Sequence, residues 1–160
     1  MSHIYTPMEA PDLSLRSVAF ARLSEGRVVA RGTFESVGYV RPGGRLTALR
    51  GAASLEPEPG TPFASWGTVH VVAPSTTGEL AAQRFTATGG VRMNAARGDS
   101  AVTERVRYDG AAGSVESDTP LDARGPGYRI HGNGLLARTD GSSIAITGGV
   151  TGSMELEARR

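Results

Sequence analysis

A chain of 160 residues suits one domain and argues against a second. All 17 basic residues are arginine and 16 acidic residues nearly cancel them, so a net charge of +1 excludes the basic footprint of a nucleic-acid or polybasic membrane binder. Cysteine is absent, which excludes disulfides, zinc–thiolate sites and thiol nucleophiles. Leu, Ile, Val and Phe fill only 32 of 160 positions while Gly and Ala fill 22 and 21, so bulky side chains for a thick core are scarce.

Along the chain, residues 1–11 lack the basic-then-apolar order of a secretion signal, and no run of 18 apolar residues follows. As written, the chain reads as soluble and unexported, with residues 1–11 a flexible arm and 12–160 a single domain. Leu13 and Leu15 alternate, as do Val18 and Phe20, but the two pairs are out of phase, which predicts a strand with a bulge near Ser17. Further strands are expected over 27–40, 46–55 and 68–72. The proline cluster at 57–62 between them reads as a surface loop. Residues 79–85 contain good helix formers, and propensity allows a short helix there.

Residues 91–95 are a strand candidate, and 99–109 a clearer one, because Val102, Glu104, Val106 and Tyr108 share one parity while Thr103, Arg105 and Arg107 share the other. Glu104 on the apolar parity is either a sheet-edge or ion-paired residue, or a polar group lining a cavity. Arg105 and Arg107 read as a solvated sheet face interleaved with acids. The last strands are expected over 128–131, 134–139, 144–147 and 153–156, separated by turn signals such as Asp109-Gly110, Gly125-Pro126-Gly127 and Asp140-Gly141. Thr88-Gly89-Gly90-Val91 recurs as Thr147-Gly148-Gly149-Val150, an internal echo of two hairpin units built alike. Many short strands at this spacing mean an all-β sandwich, roll or barrel.

Catalytic and metal chemistry find no support. His3, His70 and His131 are far apart in sequence with no carboxylate at ligand spacing, and no serine nucleophile elbow occurs. Gly132-Asn133-Gly134 opens only a loose dinucleotide fingerprint, with no helix to follow it. No enzyme, metal or cofactor is expected.

The segment 101–150 holds Thr103-Glu104-Arg105-Val106-Arg107-Tyr108-Asp109-Gly110, then Val115-Glu116-Ser117-Asp118-Thr119-Pro120-Leu121. Gly125-Pro126-Gly127-Tyr128-Arg129-Ile130-His131-Gly132 and Ile146-Thr147-Gly148-Gly149-Val150 complete it. This order resembles the LptC family, the periplasmic component of lipopolysaccharide export in Gram-negative bacteria, and the related LptA and OstA domains. Residues 13–20, 28–32 and 37–39 resemble the family's opening strands more loosely.

The resemblance implies a twisted, slightly open β-jellyroll of antiparallel strands with a V-shaped apolar groove for lipid acyl chains. It implies lipopolysaccharide as ligand, and head-to-tail edge-strand contact with an LptA-like jellyroll and an inner-membrane ABC transporter complex. It also implies a periplasmic location, tethered by an N-terminal helix this sequence lacks. Phe20, Phe34, Phe85, Val91, Met93, Val102, Val106, Tyr108, Tyr128, Ile130, Ile144 and Ile146 are the expected groove lining or core. A structural β-roll that assembles through its edges without ligand is the alternative reading. A carbohydrate-binding sandwich ranks last, because Trp66 is the single tryptophan.

Overall fold

The computed structural model describes residues 11–155, so the expected arm lies outside the described residues apart from Pro11. Twelve strands form one antiparallel sheet. They are β1 (Leu13–Ser24), β2 (Arg27–Val40), β3 (Arg45–Leu55), β4 (Val69–Glu79), β5 (Arg84–Ala95), β6 (Ser100–Asp109), β7 (Ser114–Ser117), β8 (Leu121–Gly125), β9 (Tyr128–Gly132), β10 (Gly134–Arg138), β11 (Ile144–Thr147) and β12 (Thr151–Met154). The first six pair in sequence order, and then the sheet forks. The start of β6 pairs with β8, and the order continues through β9 to β12; the end of β6 pairs with β7, and the order continues through β10 to β11.

A single crease explains the fork. Ser17 is unpaired between Arg16↔Ser36 and Val18↔Phe34, and Arg50 is unpaired between the partners of Phe34 and Ser36; both have positive φ, 54° and 51°. Pro74 continues the line in β4, opposite Arg50, where its missing N–H breaks the ladder. Gly89 and Gly90, at φ 93° and 94°, continue it in β5, and the pairing register shifts there against both neighbours.

Beyond β6 the line passes through connections. Residues 118–120 join β7 to β8, Asn133 joins β9 to β10, and residues 148–150 join β11 to β12. Each of these split pairs is one long strand path bent at the crease. The sheet is thus an up-and-down meander folded along a transverse line into two legs. The first leg holds residues 18–34, 51–73 and 91–103 with β8, β9 and β12; the second holds the other halves with β7, β10 and β11.

Burial follows this line. Among the described residues, Val37, Ala48, Gly51, Ala73, Val91, Thr103, Val106, Ser117, Leu121, Gly132, Gly134 and Leu135 are buried, and all lie within two residues of the crease. The core cluster of Ala73, Val91 and Val106, with Val71, Ala87 and Val115 against it, joins the two legs at their apex. The remaining buried residues, Asp99 and Gly141, sit at the far ends of the legs.

At the fork, backbone groups of β6 change partners, and hydroxyls take up the hydrogen bonding. Thr103 Oγ1 lies 3.1 Å from Ser117 Oγ and 2.7 Å from Thr119 Oγ1, and the Arg105 N–H donates to Thr119 Oγ1 at 3.2 Å.

Several expectations change. No helix forms over 79–85: Glu79 ends β4 and Arg84 opens β5, and the cross-strand pairs Glu79↔Arg84 and Gly78↔Phe85 override local propensity. β5 extends back to Arg84, and β7 and β8 are strands too short and polar to show an alternating pattern. The proline cluster is the surface loop expected, and it also straps the two legs together. The Glu58 N–H donates to the Asp140 carbonyl at 3.1 Å and the Phe63 N–H to the Gly141 carbonyl at 3.2 Å, tying the β3–β4 loop of the first leg to the β10–β11 turn of the second.

The crease can be tested where backbone alone is at stake. A Cβ at Gly90 meets nothing within 4 Å, yet the residue has φ +94°. Gly90→Ala is therefore expected to lower unfolding free energy by about 1–2 kcal/mol, the cost of left-handed backbone for a side-chain-bearing residue. Urea titration checks this, and an unchanged midpoint would contradict it.

Candidate functional site

The register settles which side chains face each other between the legs. On the second leg the inward rows carry Val37 and Tyr39, Leu46 and Ala48, Phe85 and Ala87, Val106 and Tyr108, Val115, Leu135, and Ile144 and Ile146. On the first leg they carry Phe20, Phe34, Val71, Val91 and Met93, then Ala101, Leu121, Ala123 and Ile130. The opposite faces carry Arg31, His70, Arg92, Asp122, Arg124, Arg129 and His131 on the first leg and Arg105, Arg107 and Glu116 on the second. Two apolar faces are thus turned toward one another across the fold.

Glycines seat the aromatic rings on these faces. A Cβ on Gly32 would come within 2.6 Å of the Phe20 ring, and one on Gly51 within 2.5 Å of Phe34. Phe20 and Phe34 stack with centroids 5.3 Å apart, and Phe85 stacks on Tyr108 at 6.2 Å. Away from the apex the inward side chains are only half-buried, and Phe20 retains 36% of its surface. The legs nearly touch again where the Arg22 guanidinium, on the inward face of the first leg, lies 5.8 Å from the Tyr108 ring centroid on the second.

Of the expected lining residues, Phe20, Phe34, Val91, Met93 and Ile130 face inward from the first leg and Phe85, Val106, Tyr108, Ile144 and Ile146 from the second. Val91 and Val106 fill the apex, while the others lie on the inward rows beyond it, half-buried or exposed. Val102 is a correction. It is 44% exposed, pairs with Arg92 and Asp122, and shares their outward face, because the register shift beside Glu104 reverses the parity of β6 and turns Thr103 inward instead. Glu104 itself is exposed at the crease. Arg105 pairs with Asp118 at 2.9 Å and Arg107 with Glu116 at 3.2 Å, the solvated face expected of them. Sequence reading missed Leu121, Leu135 and Val115, which lie on strands of four or five residues, and Arg22, whose place over Tyr108 has no sequence signal.

Tyr128 also lies on the inward row of the first leg, opposite Gly125 and Met154. Its hydroxyl donates to the Asp99 carboxylate, which also accepts from Arg97 Nε at 2.8 Å and Nη2 at 3.0 Å. The Arg97 guanidinium lies 4.9 Å from the Trp66 ring centroid, and Trp66 meets Phe63 edge-on at 4.9 Å. This chain of contacts fixes the strap to the end of the first leg. No group of His, Asp and Glu that could hold a metal occurs among the described residues.

No family model matches the chain, and no curated protein matches it. Among solved structures it is similar to LptH of Pseudomonas aeruginosa, the LptA-homologous periplasmic component of a lipopolysaccharide transport device. The TM-score is 0.58 at 9% identity, over 79% of this chain and 95% of that one. The fold is an open LptA-type jellyroll. Its sheet does not close: among the described residues β1 pairs only with β2, β11 only with β10, and β12 only with β9.

The strap latch of this jellyroll is pH-sensitive in a defined direction. The Arg97 hydrogen bonds hold the Asp99 carboxyl below the usual carboxylate range, while burial, and then the Asp99 carboxylate, push the Tyr128 phenol up to about 12. A depressed carboxyl stabilises the fold above its unfolded-state value of about 4, and that contribution is lost as pH falls through the folded-state value. A raised phenol stabilises the fold below about pH 10 and loses that contribution as pH rises toward its folded-state value. The wild-type urea midpoint should therefore fall between about pH 5 and about pH 2 by more than that of Asp99→Asn. Equal acid sensitivity in both proteins would contradict the latch.

Proposed function

We propose that the chain is a non-enzymatic lipid carrier of lipopolysaccharide transport, of the LptC type, that conducts acyl chains between its two legs. The observation that carries this reading is the confinement of apolar side-chain burial to the crease. A sandwich sealed for stability would bury its facing rows, whereas here Phe20, Phe85, Tyr108, Ile130, Ile144 and Ile146 remain accessible beyond the apex. Each buried methylene contributes about 0.8 kcal/mol, so about ten of them would hold an acyl chain by roughly 8 kcal/mol at most. Half-exposed walls lower that figure, as release to a next carrier requires.

The free edges of β1, β11 and β12 supply the unpaired N–H and C=O groups that strand addition uses. In this reading they meet an LptA-like jellyroll on one side and the inner-membrane ABC transporter complex on the other. In this reading the twelve strands act as one domain in the periplasm, tethered to the inner membrane. None of the helices among the described residues is long and apolar enough to cross a membrane.

Photo-crosslinking tests the reading. Benzoylphenylalanine at Phe85 and Ile146 should label lipopolysaccharide, and at the outward, half-exposed Leu136 it should not. Equal labelling at all three positions would reduce the effect to surface stickiness and overturn the proposal. Edge-to-edge assembly with no labelling at any position would favour a ligand-free β-roll.

A further inference from the structure

The outer face of the first leg, which the transport reading does not use, carries an arrangement that sheet energetics does not favour by itself. The register sets Ser100 against Arg124, Arg124 against Arg129, and Arg129 against Ser153, forming one row across β6, β8, β9 and β12. Arg124 and Arg129 are thus direct cross-strand neighbours, with Cβ atoms on the order of 5 Å apart, a position in which like charges destabilise a sheet. Neither arginine forms an ion pair among the described residues. The carboxylate of the adjacent row, Asp122, is held by His131 Nδ1 at 2.8 Å, and Asp99 is committed to Arg97 and Tyr128. The row lines a recess of about 610 Å³, which the Asp122–His131 pair, Val102 and Thr151 of the adjacent row also border.

We propose that this recess is a phosphate-binding site in which Arg124 and Arg129 share one phosphate group. Each guanidinium offers a planar fork of N–H donors that matches two phosphate oxygens. The hydroxyls of Ser100 and Ser153 stand at the two ends of the row to reach further oxygens. A phosphomonoester carries close to two negative charges near neutral pH and balances the two arginines, where a carboxylate balances only one. A second recess on the same leg, about 470 Å³, makes the contrast: it contains a single arginine, Arg31, and its His70 is engaged with Ser54 Oγ at 2.9 Å. The phosphate can belong to a soluble phosphomonoester or to a lipid headgroup, and the site lies on the face opposite the acyl-chain walls. It therefore stands or falls independently of the transport reading.

Calorimetric titration with glucose 6-phosphate, and flotation with phosphatidylcholine vesicles containing phosphatidic acid, test the site on the full chain. Wild type should bind at least one probe saturably. Arg124→Gln and Arg129→Gln should each weaken that binding tenfold or more, and Arg31→Gln should leave it unchanged. Binding of glucose 6-phosphate assigns the site to soluble esters, and recruitment to vesicles alone assigns it to lipid headgroups; both support it. Because each pair variant removes a like-charge contact, its thermal midpoint should equal or exceed that of wild type, which separates lost binding from lost folding. No saturable binding of either probe by wild type, or equal weakening by Arg31→Gln, overturns the proposal.

Discussion

Along the crease, backbone conformations that side chains resist recur in β1, β3 and β5. Ser17, Arg50, Gly89 and Gly90 all have positive φ, with Pro74 between them in the row. For the two non-glycine positions this costs about 1–2 kcal/mol each, and the exposed Arg50–Glu35 ion pair at 2.9 Å returns at most about 1 kcal/mol. The offset comes from burial along the same line. Val91 and Leu121 are fully buried, and each contributes roughly 1.5–3 kcal/mol. Folding the meander is what brings Val91 and Val106 together, so the strain and the core that offsets it are one feature.

That economy leaves the rest of the fold thin. Alanines and glycines are interspersed among the larger residues of the rows that face each other, and the Phe20 and Phe34 rings lie over Gly32 and Gly51. The legs would splay without a second tie, and the strap supplies one at their free ends through Phe63, Gly141 and the buried Asp99. In the proposed reading, the apex, the two apolar walls and the strap at the far end frame a trough for acyl chains. The sheet also ends on unpaired edges at β1, β11 and β12, which the proposed reading uses to meet its neighbours.

Much of this was legible in the sequence, and the gaps have physical reasons. The bulge at Ser17 showed as a slip in phase between Leu15 and Val18. The repeated Thr-Gly-Gly-Val was visible but not its meaning: both copies cross the crease, with positive φ at all four glycines. The Val102 assignment failed because an unbroken two-residue alternation in β6 hides the register shift, and the residue that truly faces inward, Thr103, is polar and satisfied by the hydroxyls of Ser117 and Thr119. Arg124 and Arg129 flank a recognisable turn, but only the pairing register shows that they stand opposite one another. Tyr128 stands on the inward row as expected, but nothing local reveals its partner Asp99, 29 residues away.

The claim on which the functional account turns is that the space between the legs admits hydrocarbon. Tryptophan quenching by brominated acyl chains measures this directly, using single-tryptophan proteins in a Trp66→Phe background with Phe34→Trp or Phe85→Trp inside the trough and Val102→Trp outside. The account predicts strong, saturable quenching at both inward positions and little at Val102→Trp. Equal quenching at the three positions, or none at the inward two, would mean that the legs enclose no lipid-accessible space.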